Sequence, residues 1–136
     1  MTTELVGAAL MDMYWHKKAW TPEEAKNIDV KAFEQDVKNQ LNMPALVEFR
    51  YRSPYFKHVF ASDEYACGYY TYLWAQVLEA DGYLPFEKAG CFDKATADAY
   101  RALLEAGDTE DPMVLYKRYR GQEPTADALL RNRGLK

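Results

Sequence analysis

Apolar positions recur at helical spacing along this chain and almost never alternate over more than a few residues. Over residues 3–15, Leu5, Ala8, Ala9 and Asp12 share one stripe, and Leu10, Met13 and Tyr14 share another. This predicts a helix apolar nearly all round, a kind normally buried in a large protein, and here expected to lack part of its cover. His16 follows at its end, where an imidazole suits the helix dipole better than it suggests a ligand. Thr21-Pro22-Glu23-Glu24 joins an N-cap residue, a proline at the first helical position and early carboxylates, predicting a short helix to residue 27. Asp29 then caps a helix with Val30, Phe33, Val37 and Leu41 inward. Lys31, Glu34, Gln35 and Lys38 fall on the other side and read as solvated surface. Pro44 stops that helix, because proline disfavours α geometry in the residue before it. Residues 43–53 have no clean period and read as a connection packed by Leu46, Phe49 and Tyr51. Arg50 and Arg52 are there either exposed or paired with carboxylates outside the chain. Ser53-Pro54 opens a further turn over residues 55–60 by the same capping logic.

The next stretch is the most unusual: His58-Val-Phe-Ala-Ser-Asp-Glu-Tyr65-Ala-Cys-Gly68-Tyr69-Tyr70-Thr-Tyr72-Leu-Trp74. Read as a loop feeding a long helix, it places Tyr65, Tyr69 and Tyr72 at i, i+4 and i+7, within roughly 60° of one another. Gly68 lies on the same side, leaving a gap where another backbone can approach. Tyr70, Leu73, Trp74 and Val77 form a second, core-directed set. A helix so rich in tyrosine is consistent with plain packing, its hydroxyls reaching water or a carbonyl. The less common alternative is a set of phenols that donate to a ligand carbonyl or oxyanion.

Farther on, Gly82 and Pro85 predict a bend, closed by Gly90. Asp93 caps a helix with Ala97, Tyr100, Leu103 and Leu104 inward, ending at Gly107. Asp111-Pro112 starts another that stops at Gly121, and Pro124-Thr125 begins a last turn or two. The fold class expected is all-α, with residues 1–136 forming a single helical unit.

Composition is ordinary for a folded protein, with 49% apolar and 28% charged residues. A net charge of −4 gives no reason to expect a nucleic-acid partner. The apolar run ending at Asp12 is far too short to span a membrane, and no basic segment precedes it as a signal peptide would require. Cys67 and Cys91 are too few for a disulfide framework and lack zinc-site spacing. His16 is followed by Lys17 and His58 by Val59, so the His-Glu-x-x-His pattern of zinc peptidases is missing. The chain alone is therefore expected to hold no metal or other cofactor and to be inactive as a peptidase.

Tyr65-Ala-Cys-Gly68-Tyr69-Tyr70-Thr-Tyr72-Leu-Trp74, together with the preceding His58, resembles the C-terminal part of the thimet oligopeptidase and peptidyl-dipeptidase family of zinc metallopeptidases. The resemblance extends through Asp81-Gly82-Tyr83, Asp111-Pro112-Met113, Arg118-Tyr119-Arg120-Gly121 and the closing Ala128–Leu135 stretch, and upstream through residues 8–13 and 50–56. It covers nearly the whole chain. The loop Ala61-Ser62-Asp63-Glu64 departs from the family's usual glycine-rich form and is expected to be stiffer. The resemblance implies a C-terminal fragment of a zinc-dependent enzyme hydrolysing short peptides, with zinc bound by the rest of the catalytic domain. It further implies that Tyr65 and Tyr72 stabilise the oxyanion formed when a zinc-bound water attacks the peptide carbonyl, and that His58, Gly68 and Tyr69 contact substrate. The closing residues are nearer the bacterial peptidyl-dipeptidases, which favours release of dipeptides over internal cleavage. A cytoplasmic location is expected, with the periplasm as the alternative. Two other readings stand beside this one: a non-catalytic peptide-binding module, and a structural helical protein that self-associates through apolar surface at residues 5–13.

Overall fold

The computed structural model describes residues 2–136. Among the described residues eight α-helices follow one another: α1 Thr2–His16, α2 Pro22–Asn27, α3 Val30–Gln40, α4 Lys57–Phe60, α5 Thr71–Ala89, α6 Lys94–Ala106, α7 Pro112–Arg120 and α8 Asp127–Asn132. Short 3₁₀ turns occupy Ser53–Tyr55 and Asp63–Tyr65, and the described residues contain no strand. The fold is all-α, as the helical periodicity predicts. None of the described helices is long and apolar enough to cross a membrane. Two compact units divide the chain, the first ending at Leu73 and the second being Trp74–Lys136.

In the first unit α1 is clad on two sides. Leu5, Ala8 and Ala9 pack with Phe56, Val59 and Tyr69, while Met11 and Trp15 pack with Val37 and Phe49. Thr21 caps α2 with a reciprocal box, its hydroxyl accepting from the Glu24 N–H and the Glu24 carboxylate accepting from the Thr21 N–H. Asp29 caps α3 by accepting from the N–H groups of Lys31 and Ala32.

The outer face of α3 is not all solvated, contrary to expectation. Glu34 and Lys38 are buried because each finds counter-charge and backbone in the connection that follows. Glu34 accepts from Arg52 Nε at 2.5 Å and from the Ser53 N–H at 2.6 Å. Lys38 Nζ donates to Glu48 Oε1 at 2.8 Å and to the Ala45 carbonyl at 3.2 Å. Arg52 thus meets its carboxylate inside this chain. Ser53 does not cap a helix, because its hydroxyl accepts from Trp15 Nε1 at 2.8 Å beneath the surface; a 3₁₀ turn forms instead and α4 starts only at Lys57. Of the residues expected to pack the connection, Phe49 is buried whereas Leu46 is fully exposed.

In the second unit, α5 continues unbroken through Gly82 and Pro85, where a bend closed by Gly90 was predicted. A proline leaves the helical ladder short of one donor. Independently of that lost donor, hydroxyls of α7 bond α5 carbonyls on the turns before Pro85: Tyr116 donates to Leu78 at 3.3 Å and Tyr119 to Gly82 at 2.7 Å. Alongside, the fully buried Asp81 carboxylate accepts from Tyr116 Oη at 2.6 Å and Arg120 Nε at 2.9 Å. The predicted inward face of α6 is a second correction. Ala97, Tyr100 and Leu104 are exposed and Leu103 half-buried, because Tyr100, Leu103 and Leu104 border an open apolar cavity of about 540 Å³ instead of a filled core. Asp111 caps α7, and Gly121 ends it with a left-handed φ of 72°.

Candidate functional site

The tyrosines come together, but not on one helix. Tyr65 closes the 3₁₀ turn, Cys67 adopts a left-handed φ of 59°, and α5 begins only at Thr71. Tyr65 therefore stands on a separate turn that folds back against the start of α5. Its ring lies parallel to that of Tyr72, with centroids 6.0 Å apart and planes within 6°, and Tyr72 Oη donates to Tyr65 Oη at 3.2 Å. His58, delivered by α4, presents its ring edge-on to Tyr65, Tyr69 and Tyr72 at 5.7, 5.8 and 6.4 Å. All four residues belong to the first unit.

Exposure sorts them. His58 and Tyr72 reach solvent and Tyr65 is half-buried, whereas only 4% of Tyr69 is accessible. The Tyr69 ring packs edge-on against Phe56 at 4.9 Å and against Tyr72 at 5.1 Å. It forms the floor on which Tyr72 stands. Tyr70 and Trp74, assigned to a core-directed set by their spacing, are exposed; the irregular backbone ahead of Thr71 takes Tyr70 out of the helical phase, whereas Trp74 lies inside the regular helix.

Gly68 has no open gap beside it. A Cβ there would sit 3.2 Å from Tyr65 Cα and 3.3 Å from the Glu64 carbonyl oxygen. The backbone that approaches is that of its own preceding turn, and the missing side chain is what lets Tyr65 fold over.

The electrostatics favour neutral phenols. Burial, reinforced by the neighbouring Tyr51 phenol, pushes Tyr69 up to about 12. The hydrogen bond to Tyr65, with lesser help from burial, raises Tyr72 above the ordinary tyrosine value. Both remain protonated donors at neutral pH.

Asp12 is the residue that sequence reasoning passed over. Its carboxylate, wholly buried, accepts from the Cys67 N–H at 3.1 Å and the Tyr69 N–H at 2.9 Å. His16 Nδ1 lies 2.8 Å from Asp12 Oδ1 and 2.9 Å from the Asp12 carbonyl oxygen. Both are acceptors, so the ring proton is assigned to Nδ1. A signal was present, since an aspartate sharing a stripe with Leu5, Ala8 and Ala9 must find donors when that stripe is buried.

The resemblance implies a zinc ion held by the rest of the catalytic domain. Among the described residues no three His, Cys, Asp or Glu side chains gather closely enough to hold a metal ion. His16 is occupied with Asp12, and His58 is surrounded by phenol rings.

Comparison with known proteins supports the resemblance over the full length. The family described as Peptidase family M3 matches residues 1–135. Dipeptidyl carboxypeptidase of Salmonella typhimurium is 43% identical over 136 residues, covering 98% of this chain and 19% of that protein. The Escherichia coli dipeptidyl carboxypeptidase is 38% identical over the same shares. Oligopeptidase A of Haemophilus influenzae is 46% identical over 103 residues, covering 74% of this chain and 15% of that protein. The chain thus spans about a fifth of the length of the dipeptidyl carboxypeptidases it matches. With a match from end to end, and with His58 and three tyrosines gathered at one place, the chain belongs to peptidase family M3.

Proposed function

We propose that this chain supplies the substrate-facing tyrosines of a longer zinc peptidase that cleaves short peptides, and that its metal ligands lie outside these residues. The observation that carries this reading is the exposed Tyr65–Tyr72 phenol pair, 3.2 Å between oxygens, with the edge of His58 beside it. Tyr72 donates its proton to Tyr65, which leaves the Tyr65 hydrogen free for a ligand oxygen. Accepting one hydrogen bond makes a hydroxyl a better donor of the next. A carbonyl that gains negative charge as its carbon becomes tetrahedral is the acceptor such a pair suits, because preorganised donors act most strongly where charge develops. His58 and the Gly68 turn border the substrate chain, and Tyr69 supports them from beneath. Release of dipeptides is the favoured mode, in keeping with the names of the relatives matched over nearly the whole chain.

Tyr72→Phe in the complete peptidase tests this reading with a short internally quenched peptide. Tyr72→Phe removes the bond that strengthens and aims the Tyr65 donor, so kcat should fall by about tenfold or more, toward the roughly 10²–10³-fold cost of losing an oxyanion donor outright, while KM changes little. A variant with kcat unchanged would return Tyr72 to a packing role.

A further inference from the structure

We infer that Asp12 is a positioning residue for the tyrosine pair, setting the course of the turn between Tyr65 and Tyr72 from a helix remote in sequence. The inference rests on the tyrosine reading above and adds to it a residue that touches neither substrate nor the reacting atoms.

Packing alone does not call for a carboxylate at this position. It lies on the stripe of Leu5, Ala8 and Ala9, where an apolar residue would fill the space without the cost of burying charge. The carboxylate is instead spent on two backbone amides, those of Cys67 and Tyr69, which lie 55 and 57 residues along the chain. These amides bracket Gly68, at the point where Tyr65 folds back over α5. Cys67 sits in the left-handed region, unfavourable for a residue with a side chain, and its N–H is one of the two that Asp12 holds. Release of this pair of bonds frees the turn to relax, and the Tyr65 oxygen then leaves its place 3.2 Å from Tyr72.

Asp12→Asn is the informative change because it conserves shape. The carboxylate faces three donors: the two amides and His16 Nδ1–H. An asparagine has one oxygen, so its NH₂ must oppose at least one backbone N–H whichever way the amide is turned.

The test is made in the complete peptidase with the same quenched peptide. Asp12→Asn should lower kcat by about 10²-fold, the scale expected for a misplacement near 1 Å, with KM changed less than about threefold. The same substitution in a Tyr65→Phe/Tyr72→Phe background should cost less than about threefold, since the groups it positions are gone. In the 136-residue chain, amide exchange at Cys67 and Tyr69 should accelerate while the amides of α3 stay unchanged. An equal loss of kcat in both backgrounds, or a loss confined to thermal stability, overturns the inference. Should Asp12→Asn fail to fold, an ester in place of the peptide N–H at Tyr69 removes one of the two bonds, keeps every side chain, and carries the same expectation. A Tyr65→Phe/Tyr72→Phe enzyme of full activity would instead overturn the tyrosine reading, and with it the role of Asp12.

Discussion

Replacing Asp81 with alanine is expected to destabilise the unit Trp74–Lys136 by about 3–5 kcal/mol, the usual result of stranding one partner of a buried ion pair. Asp81 has no solvent exposure and accepts from Tyr116 Oη at 2.6 Å and from Arg120 Nε and Nη2 at 2.9 and 3.3 Å. Truncation leaves the Tyr116 hydroxyl with a second acceptor, the Leu78 carbonyl at 3.3 Å. Arg120 has little recourse, because its side chain is only 10% exposed. Most of the loss therefore belongs to the guanidinium, and that residual contact with water places the effect near the lower end, about 3 kcal/mol. Removing both charges with Asp81→Leu/Arg120→Met should restore most of it, since a desolvated charge no longer remains. Urea unfolding followed by circular dichroism reads the change as a lower midpoint at constant slope. The acid limb supplies a second reading. Burial raises the Asp81 pKa, but Arg120 and Tyr116 together outweigh it and hold the carboxyl below its ordinary range. A folded value below the unfolded one contributes stability in full above about pH 3.9, lost as pH falls through the folded value. The alanine variant should show a shallower acid slope. A loss under about 1 kcal/mol, with the acid slope unaltered, would refute the premise that Arg120 is desolvated.

Other consequences are open to measurement. Gly68→Ala forces Tyr65 Cα and the Glu64 carbonyl, now 3.2 and 3.3 Å from the added carbon, to yield by a few tenths of an ångström. In the complete peptidase kcat should fall about tenfold, in proportion to the roughly 10²-fold cost of a 1 Å misplacement, with no comparable drop in melting temperature. Tyr69, pushed up to about 12 by burial and Tyr51, titrates above the unfolded tyrosine value of about 10. Its contribution to stability is complete below pH 10 and declines as pH climbs from there toward about 12. Ultraviolet titration should show Tyr69 lagging the exposed tyrosines together with Tyr116 and Tyr119, which burial also raises, and Tyr69→Phe should shrink the lagging amplitude by one tyrosine.

Much of the fold was legible because capping is local. Thr21, Asp29, Asp93 and Asp111 each announce a helix through a side-chain oxygen that meets its own N-terminal amides, and each does so. What depends on distant partners was not. Nothing near Pro85 in the chain indicates that Tyr116 and Tyr119, far along the sequence, will tie α7 to α5 carbonyls on the turns before it. Helical phase alone places Glu34 and Lys38 outside, yet Arg52, the Ser53 amide and Glu48 make their burial tolerable. Spacing gathered Tyr65, Tyr69 and Tyr72 for the wrong reason. They do converge, but through a turn held by Asp12, with Tyr65 off the helix and Tyr69 beneath the surface. Family resemblance pointed to the same tyrosines without depending on helical phase.

The central claim is that Tyr65 and Tyr72 recognise developing negative charge and not the resting peptide. The most direct measurement compares two inhibitors of the complete peptidase: a phosphinic peptide that mimics the tetrahedral intermediate, and an uncleaved peptide of the same side chains. Tyr65→Phe/Tyr72→Phe is expected to weaken the phosphinic peptide by about the factor lost in kcat/KM, and the ground-state peptide by less than about threefold. Equal weakening of both, or of neither, would contradict the assignment.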